Sequence, residues 1–300
     1  MTNIIFPRDS YNASGLNLID IGFHSEVSKA LNCGFNILTV DLYDLAHGIT
    51  SIRGEAGEGP TLYRGWIIPS DHYALLETAM KVRGKPLLNN LHEYNFSYKF
   101  PLWYNHLKEC TIPSIYFPGV DPDIEATIQQ IQQEKGRSLI IKDYIKSQKY
   151  YWHEACYIPD STDTENLRKV INKFIYLQSP LVGGLVFKDY LEFKKLGKHD
   201  GSDFPLIQEF RAFVFNGEIL QLDHMWLPDY QGEKPFQFLA EVCRKLKGRN
   251  LLSVDVGQLE DGSWKVIEIG DGGVSSVPNG KTEEFYKTLA SFCKNYMLYI

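Results

Sequence analysis

Cysteine is scarce and scattered. Cys33, Cys110, Cys156, Cys243 and Cys293 are odd in number and show no C-x-x-C spacing, which argues against a disulfide framework and against a cysteine zinc site. Reduced thiols in the core are expected. Long apolar runs are missing too: no stretch reaches the roughly 18 apolar residues of a membrane span. The start, MTNIIFPRDS, has no basic region followed by an apolar one, so a cytoplasmic location and no membrane partner are expected. Positive charge is not in excess. With 31 Lys and Arg against 37 Asp and Glu, the net charge is -6, and no global field draws in nucleic acid or an anionic membrane. A nucleic-acid partner is not expected, although a local basic groove is compatible with this balance. No fixed-period repeat or low-complexity tract occurs. There is also no nucleophile elbow, and the eight histidines are dispersed without a paired metal motif, which removes support for a hydrolase. Oligomeric state leaves no mark in the sequence.

What is present is ordinary for a folded protein: 300 residues, 44% hydrophobic and 23% charged. The first hundred residues alternate strand and helix patterns, NIIFP, HSEVSKALNCG, FNILTVDL, TLYRGWIIP, DHYALLETAMKVRG and KPLLNN, in the α/β manner. Between them, ITSIRGEAGEGP is rich in glycine, but its two glutamates oppose a phosphate cradle, and a flexible connection is the simpler account. Arg64, inside the apolar run YRGW, needs an acidic partner or a bound anion. A structural salt bridge and a contact to a substrate carboxylate are both open. YNFSYKFPLWYNHLKE is aromatic-rich, includes a helix, and serves a core more readily than a base-stacking platform.

TIPSIYFPG, DPDIEATIQQIQQEKG and RSLIIKDYIKS then repeat the strand, helix, strand order. A helix (TENLRKVINKFIYLQ) and a strand (GGLVFKDYLEF) follow. PLIQEFRAFVFNGEILQLDHMW makes two strands joined at Asn216-Gly217, a strong hairpin signal. The helix PFQFLAEVCRKLKG, the hairpin SVDVGQLEDGSWKVIEIGDGG and the helix TEEFYKTLASFCKNYML close the chain.

The chemistry gathers in the second half. Lys142 ends an apolar strand and leads into a turn followed by Lys146 and Lys149, a placement suited to phosphate, although a lone strand-end lysine more commonly reaches for water. Arg211 shares a strand face with Phe213 and Phe215. In the last hairpin, Asp261-Gly262 as a two-residue turn sets Asp255 directly opposite Glu268, with Asp271 three residues on. Like charges placed this way are unfavourable unless they are spread into water or held by a cation. Carboxylates meeting lysines and an arginine suit magnesium and a polyphosphate, since the metal takes hard oxygen ligands from carboxylates and substrate phosphates.

From about Cys110 to about Gly273 this ordered set resembles the ATP-grasp superfamily. Lys142 matches its phosphate-contacting strand lysine, LVFKDYLEF its hinge strand, EFRAFVFNGEIL its strand pair with a phosphate-facing arginine, and VDVGQLEDGSWKVIEIGDGG its metal-binding hairpin. The N-terminal half, with its R-G-W segment, resembles a divergent bacterial and phage clade of these proteins. The resemblance implies an α/β fold with α+β lobes: an N-terminal pre-ATP-grasp domain over 1–105, a central lobe over 106–187 and a C-terminal lobe over 188–300. It implies ATP and Mg²⁺ as cofactors, with Mn²⁺ as a substitute. It places Arg211 and Lys142 in catalysis, and Lys142, Lys146, Lys149, Lys188, Asp189, Tyr190, Leu191, Glu192 and Arg211 around the nucleotide, with Glu192 at the ribose. Asp255, Glu268 and Asp271 would hold the metal. Two departures stand out: Gly270 occupies the place of the family's usual asparagine, which shifts the third ligand to Asp271, and the glycine-rich phosphate-covering loop is replaced by KSQKYYWHEACYI.

The implied activity is carboxylate-amine ligation through an acylphosphate, with release of ADP and phosphate, on small-molecule or peptide substrates. An ATP-grasp kinase, a nucleotidyl-transferring enzyme like an RNA ligase, and a nucleotide-binding protein with a degenerate site are the alternatives. Beyond Arg64, the flexible polar stretch GKHDGSD is the other candidate for acceptor contacts.

Overall fold

The computed structural model describes residues 2–9, 18–133, 136–278 and 280–296. The chain forms two compact units. The first comprises Met1–Ser97, Phe210–Val254 and Ile269–Ile300, and the second comprises Tyr98–Glu209 and Asp255–Glu268.

In the first unit, β1 (Asn3–Arg8), α1 (His24–Asn32), β2 (Asn36–Asp41), α2 (Leu42–Ala46), β3 (Ile52–Arg53) and β4 (Thr61–Tyr63) build a sheet of order β3-β2-β1-β4. β1 runs parallel to both β2 and β4, as the alternating pattern anticipated. Two expected strands are shorter than their apolar runs. TLYRGWIIP is strand only as far as Tyr63, because Arg64 turns into a buried ion pair, and KPLLNN contributes a single bridge, from Leu87 to Thr61. α3 (Ser70–Val82) and α4 (Leu91–Tyr98) follow.

The second unit opens with α5 (Phe100–Leu107), so the aromatic stretch is two helices rather than one. Next come β5 (Ser114–Pro118), α6 (Ile124–Gln132), β6 (Leu139–Asp143), α7 (Trp152–Ala155), β7 (Tyr157–Ile158), α8 (Thr164–Gln178) and β8 (Gly184–Asp189). The sheet order is β5-β8-β6-β7, and every pairing is antiparallel. α8 starts where the Asp163 side chain accepts from Asn166 N. Leu167, Val170, Ile171 and Phe174 recur at helical spacing and are buried to 1% exposure or less. They pack with Ile128 and Ile131 of α6 against Leu139, Ile141, Leu185 and Phe187 of the sheet, each large side chain contributing about 1.5–3 kcal/mol by leaving water. Since strand side chains alternate, this core occupies one sheet face and leaves Ile140, Lys142, Val186 and Lys188 on the other. The stretch expected to be flexible, Lys198 to Asp203, is mostly the turn of a hairpin, β9 (Lys195–Lys198) with β10 (Pro205–Ile207).

β11 (Glu209–Phe215) and β12 (Glu218–His224) turn at Asn216-Gly217, whose φ values of 51° and 79° are those of the expected tight hairpin. α9 (Phe236–Lys245), β13 (Leu252–Gln258), β14 (Trp264–Asp271) and α10 (Thr282–Tyr296) complete the chain, and the strand order is β12-β11-β13-β14. The last two residues expected in the final helix, Met297 and Leu298, lie outside the described residues. Phe213 and Phe215 enter a core with Ile4, Phe6, Phe285 and Leu289. The β13–β14 turn is one residue longer than expected. Leu259 N donates to Ser263 O and Gly262 N to Leu259 O, so Glu260–Gly262 form a three-residue turn with Gly262 at φ 86°. The register of a two-residue turn, which set Asp255 opposite Glu268, therefore does not hold at the turn end.

Candidate functional site

On β6 and β8 the register pairs Ile140 with Lys188 and Lys142 with Val186. Lys142 and Lys188 are thus diagonal neighbours on the face that the helices leave open, a spacing of about 7–8 Å between backbone positions. Neither is at the solvent surface: Lys142 is 5% exposed and Lys188 6%. Lys142 Nζ donates to Glu268 of β14. Lys188 Nζ donates to the Ile267 carbonyl at 2.5 Å and lies 5.9 Å from the centre of the Trp103 ring. The first half of β14 is held in the second unit by Thr111, whose Oγ1 donates to Val266 O at 2.8 Å, while Val266 N donates to Cys110 O.

Two buried ammonium groups side by side have an electrostatic cost. Burial first, and then the neighbouring Lys142 charge, push the Lys188 ammonium down to about 7. Glu268 moves the other way. Burial opposes its ionisation, but Lys142, Lys188 and Lys149 outweigh that and hold its carboxyl down to about 2. Lys149 stays charged: desolvation acts against it, yet the carboxylates of Glu209, Glu268 and Asp255 raise it above its ordinary value. Asp255 on β13 is 5% exposed.

The turn after β6 is rigid. Asp143, fully buried, accepts from Ile145 N at 2.7 Å and Lys146 N at 2.6 Å through one oxygen, and from Gln178 Nε2 and Val182 N through the other. Lys146 and Lys149 follow this turn, and among the described residues their ammonium groups make no hydrogen bond or ion pair. At the end of β8, Asp189 pairs with Arg137 at 2.8 Å and Tyr190 N donates to Ser138 O. Leu191 O accepts from Phe193 N, and the exposed Glu192 pairs with Lys195 at 3.1 Å.

Three expected site residues belong to the first unit. Arg211, which faces Asp223 across the β11–β12 ladder, donates through Nη1 to Ser276 O at 2.8 Å and Oγ at 2.9 Å. Asp271 is buried; one oxygen accepts from Asn89 Nδ2 at 2.5 Å and the other from Gly273 N at 2.8 Å. Burial raises its carboxyl to about 6 despite those donors. These contacts tie Asp271 to the first unit, and among the described residues no three His, Cys, Asp or Glu side chains group as a metal site.

Arg64 resolves toward the structural alternative. It is 2% exposed and forks onto Glu26 with two bonds of 2.8 Å. Its Nη1 donates to Gly273 O and Ser275 O. The guanidinium so engaged forms a structural ion pair with Glu26. Sequence reasoning missed Glu209 and Trp103, which face and underlie the lysines. The signal for Glu209 was its place two residues before Arg211 in the same strand run; for Trp103 there was none, because its ring reaches Lys188 from a helix 85 residues away only through tertiary packing.

A search of curated proteins finds no match. Solved structures do match along almost the whole chain. A RimK domain ATP-grasp protein from Sphaerobacter thermophilus superposes with a TM-score of 0.59 at 16% identity, covering 97% of this chain and 98% of that one. D-alanyl-alanine synthetase A from Vibrio cholerae gives a TM-score of 0.59 at 12% identity, covering 100% and 99%. The macrocyclase MdnC from Microcystis aeruginosa, bound with its precursor peptide MdnA, gives 0.55 at 13%, covering 98% and 100%. At these identities the likeness shows a shared fold. A family described as an ATP-grasp domain, family 3 of its clade, matches residues 133–289, the stretch that contains every lysine and acid of the candidate site. The chain belongs to that ATP-grasp family.

Proposed function

We propose that this protein is an ATP- and Mg²⁺-dependent carboxylate-amine ligase acting on small-molecule or peptide substrates in the cytoplasm. The observation that carries the reading is the group in the second unit: Lys142 and Lys188 on one open sheet face, Glu268 of β14 bonded to Lys142, and Lys149 under the charges of Glu209, Glu268 and Asp255. Lys142 and Lys188 stand buried side by side, so each raises the cost of charging the other, and a bound triphosphate would relieve that repulsion. Asp255 and Glu268 are the hard oxygen donors that fit magnesium, which usually takes one or two carboxylates plus substrate phosphates. Bound there, the metal would neutralise phosphate charge. Asp271, engaged by Asn89 and Gly273, is the weakest member of the proposed ligand set.

In this mechanism Lys142 and Arg211 draw the γ-phosphoryl group toward a substrate carboxylate. A carboxylate oxygen attacks phosphorus, the bond to the β-phosphate oxygen breaks, and ADP leaves. The amine then attacks the acyl carbon, loses a proton and expels phosphate. Lys146, Lys149 and Lys188 hold the phosphates, while the backbone of Asp189, Tyr190 and Leu191 borders the base and Glu192 the ribose. The protein's part is alignment and charge neutralisation. The fold match to a D-alanyl-alanine synthetase and to a peptide-bound macrocyclase supports the reading.

The test incubates the protein with Mg²⁺, ATP and pooled amino acids, peptides and small carboxylates, and resolves the nucleotide products, with Asp255→Asn and Glu268→Gln as controls. Substrate-dependent ADP and phosphate with an amide product, lost in both controls, are expected. ADP with a phosphorylated product would replace the reading by a kinase, AMP with pyrophosphate by adenylyl transfer, and ATP binding without turnover by a nucleotide-binding protein.

A further inference from the structure

Where a glycine-rich cover loop is expected, this chain has Lys146–Ile158, dense in aromatic residues. Glycine loops close on a nucleotide by becoming ordered, at an entropic cost to binding. This segment is already fastened at three places within the second unit. At its base, Gln148 Nε2 donates to Gln178 Oε1 at 2.7 Å. On one side, the Tyr150 ring stands edge-on to His199, with centroids 5.4 Å apart, and to Phe204, at 5.9 Å. His199 and Phe204 are themselves stacked at 4.7 Å, and the Ser202 hydroxyl lies 2.9 Å from His199 Nδ1. All three belong to the turn between β9 and β10. On the other side, Trp152 stacks on Tyr157 at 5.3 Å and 4° and meets Tyr190 edge-on, with Tyr157 and Tyr190 4.9 Å apart. His153 adds a contact, its Nε2 3.5 Å from Asp203.

Lys149 immediately precedes Tyr150, and the charges of Glu209, Glu268 and Asp255 act on its ammonium. Tyr150 is 70% exposed, so its ring adds little to the core; its contacts are with the hairpin turn. We propose that Tyr150 and Trp152 are positioning residues. Their rings strap the segment to the β9–β10 turn and to the end of β8, and thereby hold Lys149 over the acids before nucleotide arrives. This rests on the nucleotide-site reading and deepens it: the site is preformed and takes a polyphosphate without loop closure.

A double-mutant cycle tests it, with calorimetric affinity for the magnesium complex of adenylyl imidodiphosphate as the readout. Lys149→Met is expected to weaken binding about tenfold, the loss of one charge-assisted contact. Tyr150→Ala and Trp152→Ala should each weaken it about fivefold in the native background and less than twofold in the Lys149→Met background, because they act through that lysine. Tyr150→Phe and Trp152→Phe keep a ring and should retain native affinity. Phe204→Ala, approached from the hairpin, should reproduce Tyr150→Ala and serves if the latter does not fold. Equal losses in both backgrounds, or none, would overturn the strap. Native affinity in Lys149→Met beside lost binding in Lys142→Met would overturn the strap alone, whereas native affinity in Lys142→Met would remove the nucleotide site with it.

Discussion

Lys142 on β6 donates to Glu268 on β14, a residue 126 positions later in the chain. The pair is asymmetric: the lysine side chain is 7% exposed and the glutamate 37%. Half of it is buried machinery and half opens to solvent, so charge can be exchanged there when an anion or a cation arrives.

Lys142→Met should therefore reduce ATP-dependent turnover by roughly 10²-fold or more, the scale for losing one preorganised donor to a reacting group. Glu268→Gln should do the same and also leave Lys142 buried without its anion. After discounting for the exposed glutamate, that costs about 1–2 kcal/mol by denaturant titration. The combined variant should recover part of this loss. Glu268 has a folded value near 2 against an ordinary 4.5. Its stabilisation is complete above the ordinary value and is lost as pH falls through about 2, a loss that Glu268→Gln should not show.

Lys188 predicts the opposite trade. Its folded value near 7 lies below the ordinary 10.5, so between these values the unfolded chain holds a proton that the folded chain lacks, and stability rises with pH across that window. Lys188→Met keeps the stem against Trp103 and removes the ammonium. At pH 7 it should stabilise the fold by about 2–4 kcal/mol, flatten the rise between pH 7 and 10, and weaken nucleotide binding. In the native protein a bound triphosphate favours the charged ammonium. Affinity should then decrease as pH rises above about 7, with proton uptake on binding measurable by calorimetry in buffers of different ionisation enthalpy. A pH-independent affinity would exclude Lys188 from contact.

Arg64 and Glu26 form a buried pair in the first unit. Arg64→Met should destabilise the protein by about 3–5 kcal/mol, because Glu26 would remain as an uncompensated charge. Nucleotide affinity, measured on folded protein at low temperature, should stay native. A stable variant with impaired affinity would return Arg64 to the substrate side.

Asp143 holds the turn that presents the lysines. Asp143→Ala orphans three backbone donors and Gln178, and should cost about 2–4 kcal/mol. It should also loosen amide exchange at Ile145 and Lys146 ahead of global unfolding. Unchanged exchange there would show that the turn is held by its neighbours instead.

The kinds of element and the chemical inventory follow from the order of residues along the chain. Period-two alternation in LIIKD and LVFKD dictates which side chains share a face, and the φ demands of Asn216-Gly217 dictate a hairpin, since both are properties of a few adjacent residues. The ordered lysines, arginine and acids were legible for the same reason. How those residues are used depends on packing between distant segments. Arg64 pairs with Glu26 of α1, 38 residues before it, and Asp271 is engaged by Asn89 from a segment 182 residues away. The β9–β10 hairpin was illegible because KKLGKHDGSDFPLI is polar, and its order comes from aromatic contacts with Tyr150. The pKa of Lys188 depends on burial and on Lys142 two strand positions across, neither of which is a local property of the chain. Local sequence sets periodicity and turn geometry, whereas desolvation and charge coupling exist only once distant segments exclude water together.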